Sequence, residues 1–573
     1  MTLSEVFKED WLTVVLDLNE RKEYVIVNDK EQLEALYNKY SNDIWIGFNN
    51  KGYDQYILKG ILSGFNPKEV NDFIIVKNKP GYQFSSLLNR FPMNNYDVFN
   101  RGLDPSLKVF EGYMGNDINE SSVPFDLDRN LTDEEIEKTI KYCRHDVEQT
   151  FNLFMERYSD FEAHMGLIKY YANGSQLQLN LLSKTKVQLS ALILNAERSE
   201  FNDEFDIDLP PTLKIEKYKE VVEWYQTPKN CTYFKTVDGK PKANKLEIMI
   251  AGVPHVFGWG GIHGAIDKYQ GEGYYLNMDV ASLYPSLMIQ YNLGSRAMRD
   301  PKKYEDIYHQ RLKYKAEKNP LQAPLKIVLN GTYGAMKDKY NPLYDPRQAN
   351  RVCVYGQLLL LDLIEKLEPH CDIIQSNTDG VLVKLRDKND YALIDDIAYE
   401  WEQRTRLQLE FDEYKRVYQK DVNNYIIVGH DGHHKSKGAY VKKLSNIDND
   451  LPIVNKALVD YMVSGVPIET TINNCKDLKM FQMIARASYK YKCLMYGEHE
   501  LPYKTVRIYA DNRNAPGLYK VSLRTGKPEK VANTPEHVNI FNSEVNEEKV
   551  YGWLDKQFYI DMAYKRLQDF GGE

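Results

Sequence analysis

Two acidic residues carry the first chemical signal in this chain. Asp279 closes an apolar run within YYLNMDVASLYPSLMIQYN, residues Tyr274 to Asn292, and Asp379 lies inside DIIQSNTDGVLVKL, residues Asp372 to Leu385. Between them, LKIVLNGTYGAMKDKY places Lys326, Asn330 and Tyr333 at i, i+4 and i+7, which is one face of a helix. Carboxylates on adjacent strands can hold two divalent cations about 3.5–4 Å apart, the arrangement for in-line displacement at phosphorus. Mg²⁺ suits such a site because it accepts a few carboxylates and completes its shell with water and phosphate; Mn²⁺ is the expected substitute. The lysine-bearing face would then meet a triphosphate. Taken singly, a turn aspartate is usually a turn former and a basic helix face usually a solvated one. It is their conjunction that points to chemistry.

The elements that must position these groups are legible around them. The run before Asp279 reads as a strand that turns at Tyr284-Pro285, and Asn377-Thr378-Asp379-Gly380 joins two β runs as a hairpin turn. Tyr304 to Lys318 reads as a helix with Arg311 and Lys315 four apart, broken by Asn319-Pro320. From Arg406 to Gly429 the pattern is that of strands, and HHKSKGAYVKK follows with Lys435, Lys437, Lys442 and Lys443 as a phosphate-tracking patch.

These stretches resemble family B DNA polymerases. DVASLYPS is similar to their DxxSLYPS motif A, Lys326–Gly334 to their KxxxNSxYG motif B, and Asn377–Gly380 to their DTDS motif C, in the family's order. The resemblance implies that Asp279 and Asp379 bind both Mg²⁺ ions, assisted by the Val280 carbonyl. It implies that Tyr284 lies under the deoxyribose and excludes a 2′-hydroxyl, while Ser282 and Leu283 support the triphosphate. Lys326 would contact the triphosphate and give a proton to pyrophosphate, Arg311 and Lys315 would grip the β- and γ-phosphates, and Asn330 and Tyr333 would press on the nascent base pair. Gly334 would allow close approach of DNA. Arg suits bidentate phosphate contact and Lys the point-charge one. Asn377 departs from the family's acid at that position, which costs one charge near the metals.

Only 46 residues lie between Asp279 and Lys326. Two short antiparallel helices fit there, whereas the protein-primed phage polymerases, which the chain otherwise resembles, carry a large insertion. The resemblance therefore implies a phage or prophage type enzyme using an ordinary nucleic-acid primer, with primer-template DNA and dNTPs as partners and processivity supplied by another replication protein.

Residues 1–160 alternate strand and helix in an α/β pattern, and here too there is a resemblance, to the 3′-5′ exonuclease domain of the same family. Asn49, Tyr53 and Asp54 match NxxxYD, and Tyr142 and Asp146 match YxxxD; the first motif, DxE, is incomplete, since the best register keeps Glu5 but puts Leu3 where an acid belongs. Asp17 in VVLDLNE is the lower-ranked alternative. The expectation is a folded but impaired proofreading domain. Ser106–Phe110 resembles a single-strand-binding SLxxh motif. HVFGWGGIHGAI resembles the family's YxGG template-contact motif through Gly260 and Gly261, although Gly258 stands at the tyrosine position. Lys420 and Tyr425 fall near the place of the KxY motif that binds the primer end, with Asn423 where its lysine would be.

The expected fold class is α/β multidomain: a ribonuclease H-like exonuclease domain at 1–160, a connecting region at 161–270, palm at 271–300 and 341–445, fingers at 301–340 and thumb at 446–573. Ser175 to Glu197 reads as one long amphipathic helix, and the chain closes on another. The 573 residues, 43% hydrophobic and 27% charged, are those of a soluble protein with several cores. A net charge of −8 argues against indiscriminate nucleic-acid binding, but residues 301–340 hold nine Lys/Arg against four Asp/Glu, a local +5. Forty-three tyrosines suit cores and base stacking alike. Six cysteines without a CxxC pair suit reduced thiols, and no signal-peptide pattern or long apolar run is present, so a cytoplasmic location, bacterial or in a virus-infected cell, is expected. Two other functions compete: a 3′-5′ DNA exonuclease, for which an intact DxE motif would be needed, and a non-catalytic DNA-binding replication factor, which would have no use for Asp279, Asp379 and Lys326 together.

Overall fold

The computed structural model describes residues 1–438, 440–448 and 451–571. The chain divides into two compact units: Met1–Lys184 with Leu444–Ile453 and Ile472–Ile560, and Thr185–Lys443 with Val454–Thr471 and Asp561–Glu573.

The first unit opens on an antiparallel sheet of β1 (Thr2–Val6), β2 (Trp11–Asp17) and β3 (Lys22–Val27), in which Glu5 pairs with Leu12. Alternation buries Thr2, Ser4 and Val6 of β1 and turns Leu3 and Glu5 to the other face. Helix α1 (Lys30–Tyr40) starts at Asp29, whose side chain accepts from the Gln32 backbone N–H. β4 (Ile44–Gly47) and β5 (Asn94–Asp97) pair in parallel, and α2 (Asp54–Leu62) runs between them in the chain. α3 (Leu107–Met114) ends at the left-handed Gly115, and α4 (Asp133–Glu156) starts from a capping box of Thr132 and Glu135.

The expected thumb, 446–573, is not one body. Residues 472–560 fold with the first unit around Arg507, which is fully buried and donates to the backbone carbonyls of Gly112, Asn116 and Ser543 and to Gln482 Oε1. A buried guanidinium saturated by carbonyls ties this segment to α3. The helix Lys556–Gln568 is present where the terminal helix was expected. The long helix expected over 175–197 is replaced by a 3₁₀ turn at Leu179–Ser183 and a helix at Lys186–Ile193. Lys184 is extended and Thr185 caps a new start with Gln188, so local side-chain–backbone bonding interrupts the apolar periodicity.

The second unit is built on a nine-stranded sheet: β6 (Lys245–Ile250), β7 (Val253–Gly258), β8 (His263–Ala265), β9 (Tyr269–Val280), β10 (Cys371–Asn377), β11 (Gly380–Leu385), β12 (Leu409–Asp421), β13 (Asn424–Val428) and β14 (His434–Lys437). Its order is β14-β13-β12-β9-β11-β10-β8-β7-β6, every pairing antiparallel. β10 and β11 form the hairpin around Asn377–Gly380. After β9 come α5 (Leu283–Gln290), then α6 (Lys302–Ala316) and α7 (Gln322–Lys337), the two expected short helices, and α8 (Pro346–Leu367). The Tyr304 hydroxyl near the start of α6 donates to the Leu329 carbonyl midway along α7 (2.9 Å), joining the two helices.

Candidate active site

Sheet register brings Asp279 and Asp379 together. Asp279 on β9 stands opposite Gly380 of β11, and the Val280 backbone N–H donates to the Asp379 carbonyl at 2.7 Å. A Cβ on Gly380 would lie 2.0 Å from Asp279 Oδ1, so only glycine lets the hairpin turn approach this close. Burial raises the Asp379 carboxyl above its ordinary range, and the neighbouring Asp279 charge raises it further. A cation between the two would relieve that repulsion, and the donor set of carboxylate oxygens fits a hard divalent ion. Asp279 Oδ2 accepts from Asn277 Nδ2 and from Lys435 Nζ, both at 2.8 Å.

Ser282 sits in the left-handed region (φ 50°) and swings the chain from β9 into α5. Leu283 is buried against Gly356, leaving only its backbone available to a ligand. The Tyr284 ring packs on Tyr333 with centroids 4.3 Å apart, and Asp379 lies near enough to act on the Tyr284 hydroxyl, which burial pushes well above its usual range. Tyr333 shares its helix face with Lys326 and Asn330, both exposed, and Gly334 opens onto free space. Acids, tyrosine pair and exposed α7 face are therefore contiguous. Arg311 and Lys315 differ: Lys315 is exposed, whereas Arg311 is buried and its Nε has no partner.

Several expected DNA contacts lie elsewhere. Tyr425 is only 7% exposed and packs within the sheet core, and Lys420 is held by Asp569 (3.0 Å) over the Tyr440 ring. Gly260 is open, but a Cβ at Gly261 would strike Thr378 of the hairpin turn at 2.7 Å, which makes Gly261 a support for Asp379. Gln357 Nε2 fixes this glycine corner by donating to the Gly258 and Gly260 carbonyls at 2.8 and 2.7 Å. Lys437 acts electrostatically on Asp379 and His263, and Lys435 is the partner of Asp279 described above. The sequence marked Lys435 and Lys437 only as part of a basic, phosphate-tracking patch; nothing local indicated that the first reaches an acid 156 residues away.

In the first unit Glu5, Asp54, Tyr142 and Asp146 converge, while Asp17 is engaged in its own turn and accepts from the Tyr40 hydroxyl. The Ser4 backbone N–H donates to Asp54 Oδ1 (2.8 Å). Burial, reinforced by Asp146 and Asp54, holds Glu5 well above the carboxylate range; burial takes Asp54 to about 7 and Asp146 to about 6. Asn49 is in the left-handed region (φ 59°), and its backbone N–H donates to Asp97. Sequence reasoning missed Asp97, Glu111, His145 and the role of Lys108, whose ammonium bonds both Asp146 and Glu111. The SLxxh resemblance had flagged Lys108 only as part of a strand-binding motif.

No family profile matches the chain. In sequence it is similar to DNA polymerases. A 216-residue stretch is 27% identical to DNA polymerase 1 of Saccharolobus solfataricus, covering 36% of this chain and 23% of that protein. A 192-residue stretch is 25% identical to the DNA polymerase of Pyramimonas orientalis virus, covering 28% and 15%. The matched stretches thus span under a quarter of these relatives' lengths. Among solved structures, the family B DNA polymerase of the hyperthermophilic archaeon Pyrobaculum calidifontis aligns over 99% of this chain and 77% of that one, with TM-score 0.40 and 14% identity. Among the described residues no helix is long and apolar enough to cross a membrane.

Proposed function

We propose that the chain is a template-directed DNA polymerase of the family B type that extends a primer 3′-hydroxyl with dNTPs, and that its N-terminal unit is an exonuclease-type domain with impaired hydrolysis. The observation that carries the reading is the contiguity of Asp279 and Asp379 with the Tyr284–Tyr333 pair and the exposed Lys326–Asn330 face. On this reading the nine-stranded sheet is the palm and the α6–α7 hairpin the fingers.

Asp279 and Asp379, with the Val280 carbonyl, would hold two Mg²⁺ ions, which supply charge neutralisation at the reacting phosphate and acidify the primer hydroxyl. Lys326, on an exposed turn of α7, meets the triphosphate and gives a proton to the departing pyrophosphate; Lys315 adds charge to the same end. The Tyr284 ring, fixed against Tyr333, fills the space that a ribose 2′-hydroxyl would need. Arg311 reaches phosphate once its buried guanidinium is drawn out by the incoming nucleotide, which gives its unpartnered Nε an acceptor. In the N-terminal unit Leu3 takes the position of a metal-bridging acid, which removes a ligand that two-metal hydrolysis needs.

Primer extension on a labelled primer-template with dNTPs and Mg²⁺, together with degradation of a labelled 3′ end, tests both halves. Extension that needs dNTPs and slow loss of the 3′ label are expected; absence of extension refutes the polymerase reading, and rapid digestion refutes the impaired domain.

A further inference from the structure

We propose that Lys108 is the resident cation of the N-terminal acid cluster, its ammonium holding beside Asp146 the place that a divalent ion would otherwise take. The inference rests on the reading of that cluster as exonuclease-type and adds the reason why its remaining acids persist without hydrolytic metals.

The geometry is that of a saturated counter-ion. Lys108 is 9% exposed; Nζ bonds Asp146 Oδ1 and Glu111 Oε1, the latter at 2.9 Å, and lies 4.7 Å from the centroid of the Tyr142 ring. Two carboxylates and an aromatic face thus engage the ammonium, and Glu111 is itself fully buried. Asp54, Asp146 and Glu111 are buried carboxyl side chains, and the Lys108 ammonium bonds the last two directly. The residue types argue against a metal pair: Leu3, on the same face of β1 as Glu5, offers methyl groups where a bridging carboxylate would be needed.

A latent metal site nevertheless surrounds the lysine. Glu111, His145 and Asp146 each present a ligand atom within 4.8 Å of the others, and Lys108 contacts both acids of this trio. A divalent ion entering there would meet a fixed positive charge a few ångström away. Lys435 beside Asp279 makes the contrast: its side chain is 45% exposed and free to retreat into water, whereas the Lys108 side chain is 11% exposed.

The test uses the full-length chain with the palm acids neutralised (Asp279→Asn, Asp379→Asn), so that Mn²⁺ detected by water-proton relaxation reports on the N-terminal cluster. Lys108→Met in that background is expected to bind Mn²⁺ at least about ten-fold more tightly than the chain with Lys108, a conservative figure for removing a unit charge at this range, and to gain thermal stability on Mn²⁺ addition. Lys108→Arg should gain neither. Equal Mn²⁺ binding with and without the lysine overturns the inference, and so does a folded Lys108→Met chain that ignores Mn²⁺. Should Lys108→Met not fold, amine labelling of the parent decides: Lys108 remaining protected in Mn²⁺ supports the proposal, and labelling that appears with Mn²⁺ overturns it. Rapid 3′-end digestion by the parent would instead overturn the impaired-exonuclease reading, while failure of the Mn²⁺ arms with slow digestion leaves that reading standing.

Discussion

Gly261→Ala probes the support of the Asn377–Gly380 turn. The new Cβ would lie 2.7 Å from Thr378 Oγ1, 3.0 Å from Cγ2 and 3.1 Å from Cβ, all inside ordinary contact distance. Thr378 must recede by roughly 0.5 Å or more to restore that contact, because packed interiors leave little slack. It directly precedes Asp379, whose carbonyl is held by the Val280 N–H at 2.7 Å, so the displacement is passed to the carboxylate. A misplacement of up to about 1 Å at a reacting centre costs on the order of 100-fold, so single-nucleotide incorporation should fall by about 10–100-fold. The overpacking itself should cost about 1–3 kcal/mol, measurable by thermal denaturation. Adding Thr378→Ala removes Oγ1 and Cγ2 and should restore most of the rate. A folded Gly261→Ala chain with unchanged incorporation refutes the reasoning. If Thr378→Ala fails to rescue, Gly261 acts through the template strand, as its motif resemblance implied, and not through the turn.

Three other perturbations separate parts of the account. Tyr284→Val should relax sugar selection, raising ribonucleotide incorporation relative to dNTPs by about 10–200-fold, the scale for a changed pocket contact, in a competition assay; unchanged selectivity removes the ring from that role. Asp54→Asn should stabilise the protein at pH 8. The folded-state pKa is raised from 3.8 to about 7, so the folded chain binds this proton more tightly than the unfolded one, and wild-type stability falls as pH rises through that window. The gain is therefore full above pH 7, at most about 4 kcal/mol, and vanishes near pH 4; a pH-independent difference in melting temperature contradicts it. Arg507→Met should lose about 3–5 kcal/mol by leaving buried carbonyls and Gln482 unpaired, and limited proteolysis should then cut within 472–560 first.

What could be read from the sequence was what short-range chemistry determines. The Asn377–Gly380 hairpin and the Lys326–Tyr333 face are set by turn residues and helical spacing, and both are found. The DxE register likewise ranked Glu5 above Asp17, and Glu5 joins Asp54 and Asp146. The rest depended on partners far away in the chain. Lys108 meets Asp146 across 38 residues, and Arg507 meets Asn116 across 391, so neither the cluster's cation nor the division of 446–573 had a local signature. Tyr425 and Lys420 were assigned by motif position alone, and side-chain direction, set by which sheet face is covered, put one in the core and the other onto Asp569.

The central claim is that Asp279 and Asp379 together run nucleotide addition, and rapid-quench single-nucleotide incorporation with Asp379→Asn and Asp279→Asn tests it most directly. Each substitution should abolish incorporation in Mg²⁺ while a gel-shift assay still detects primer-template binding; incorporation at the parental rate by either variant would contradict the account.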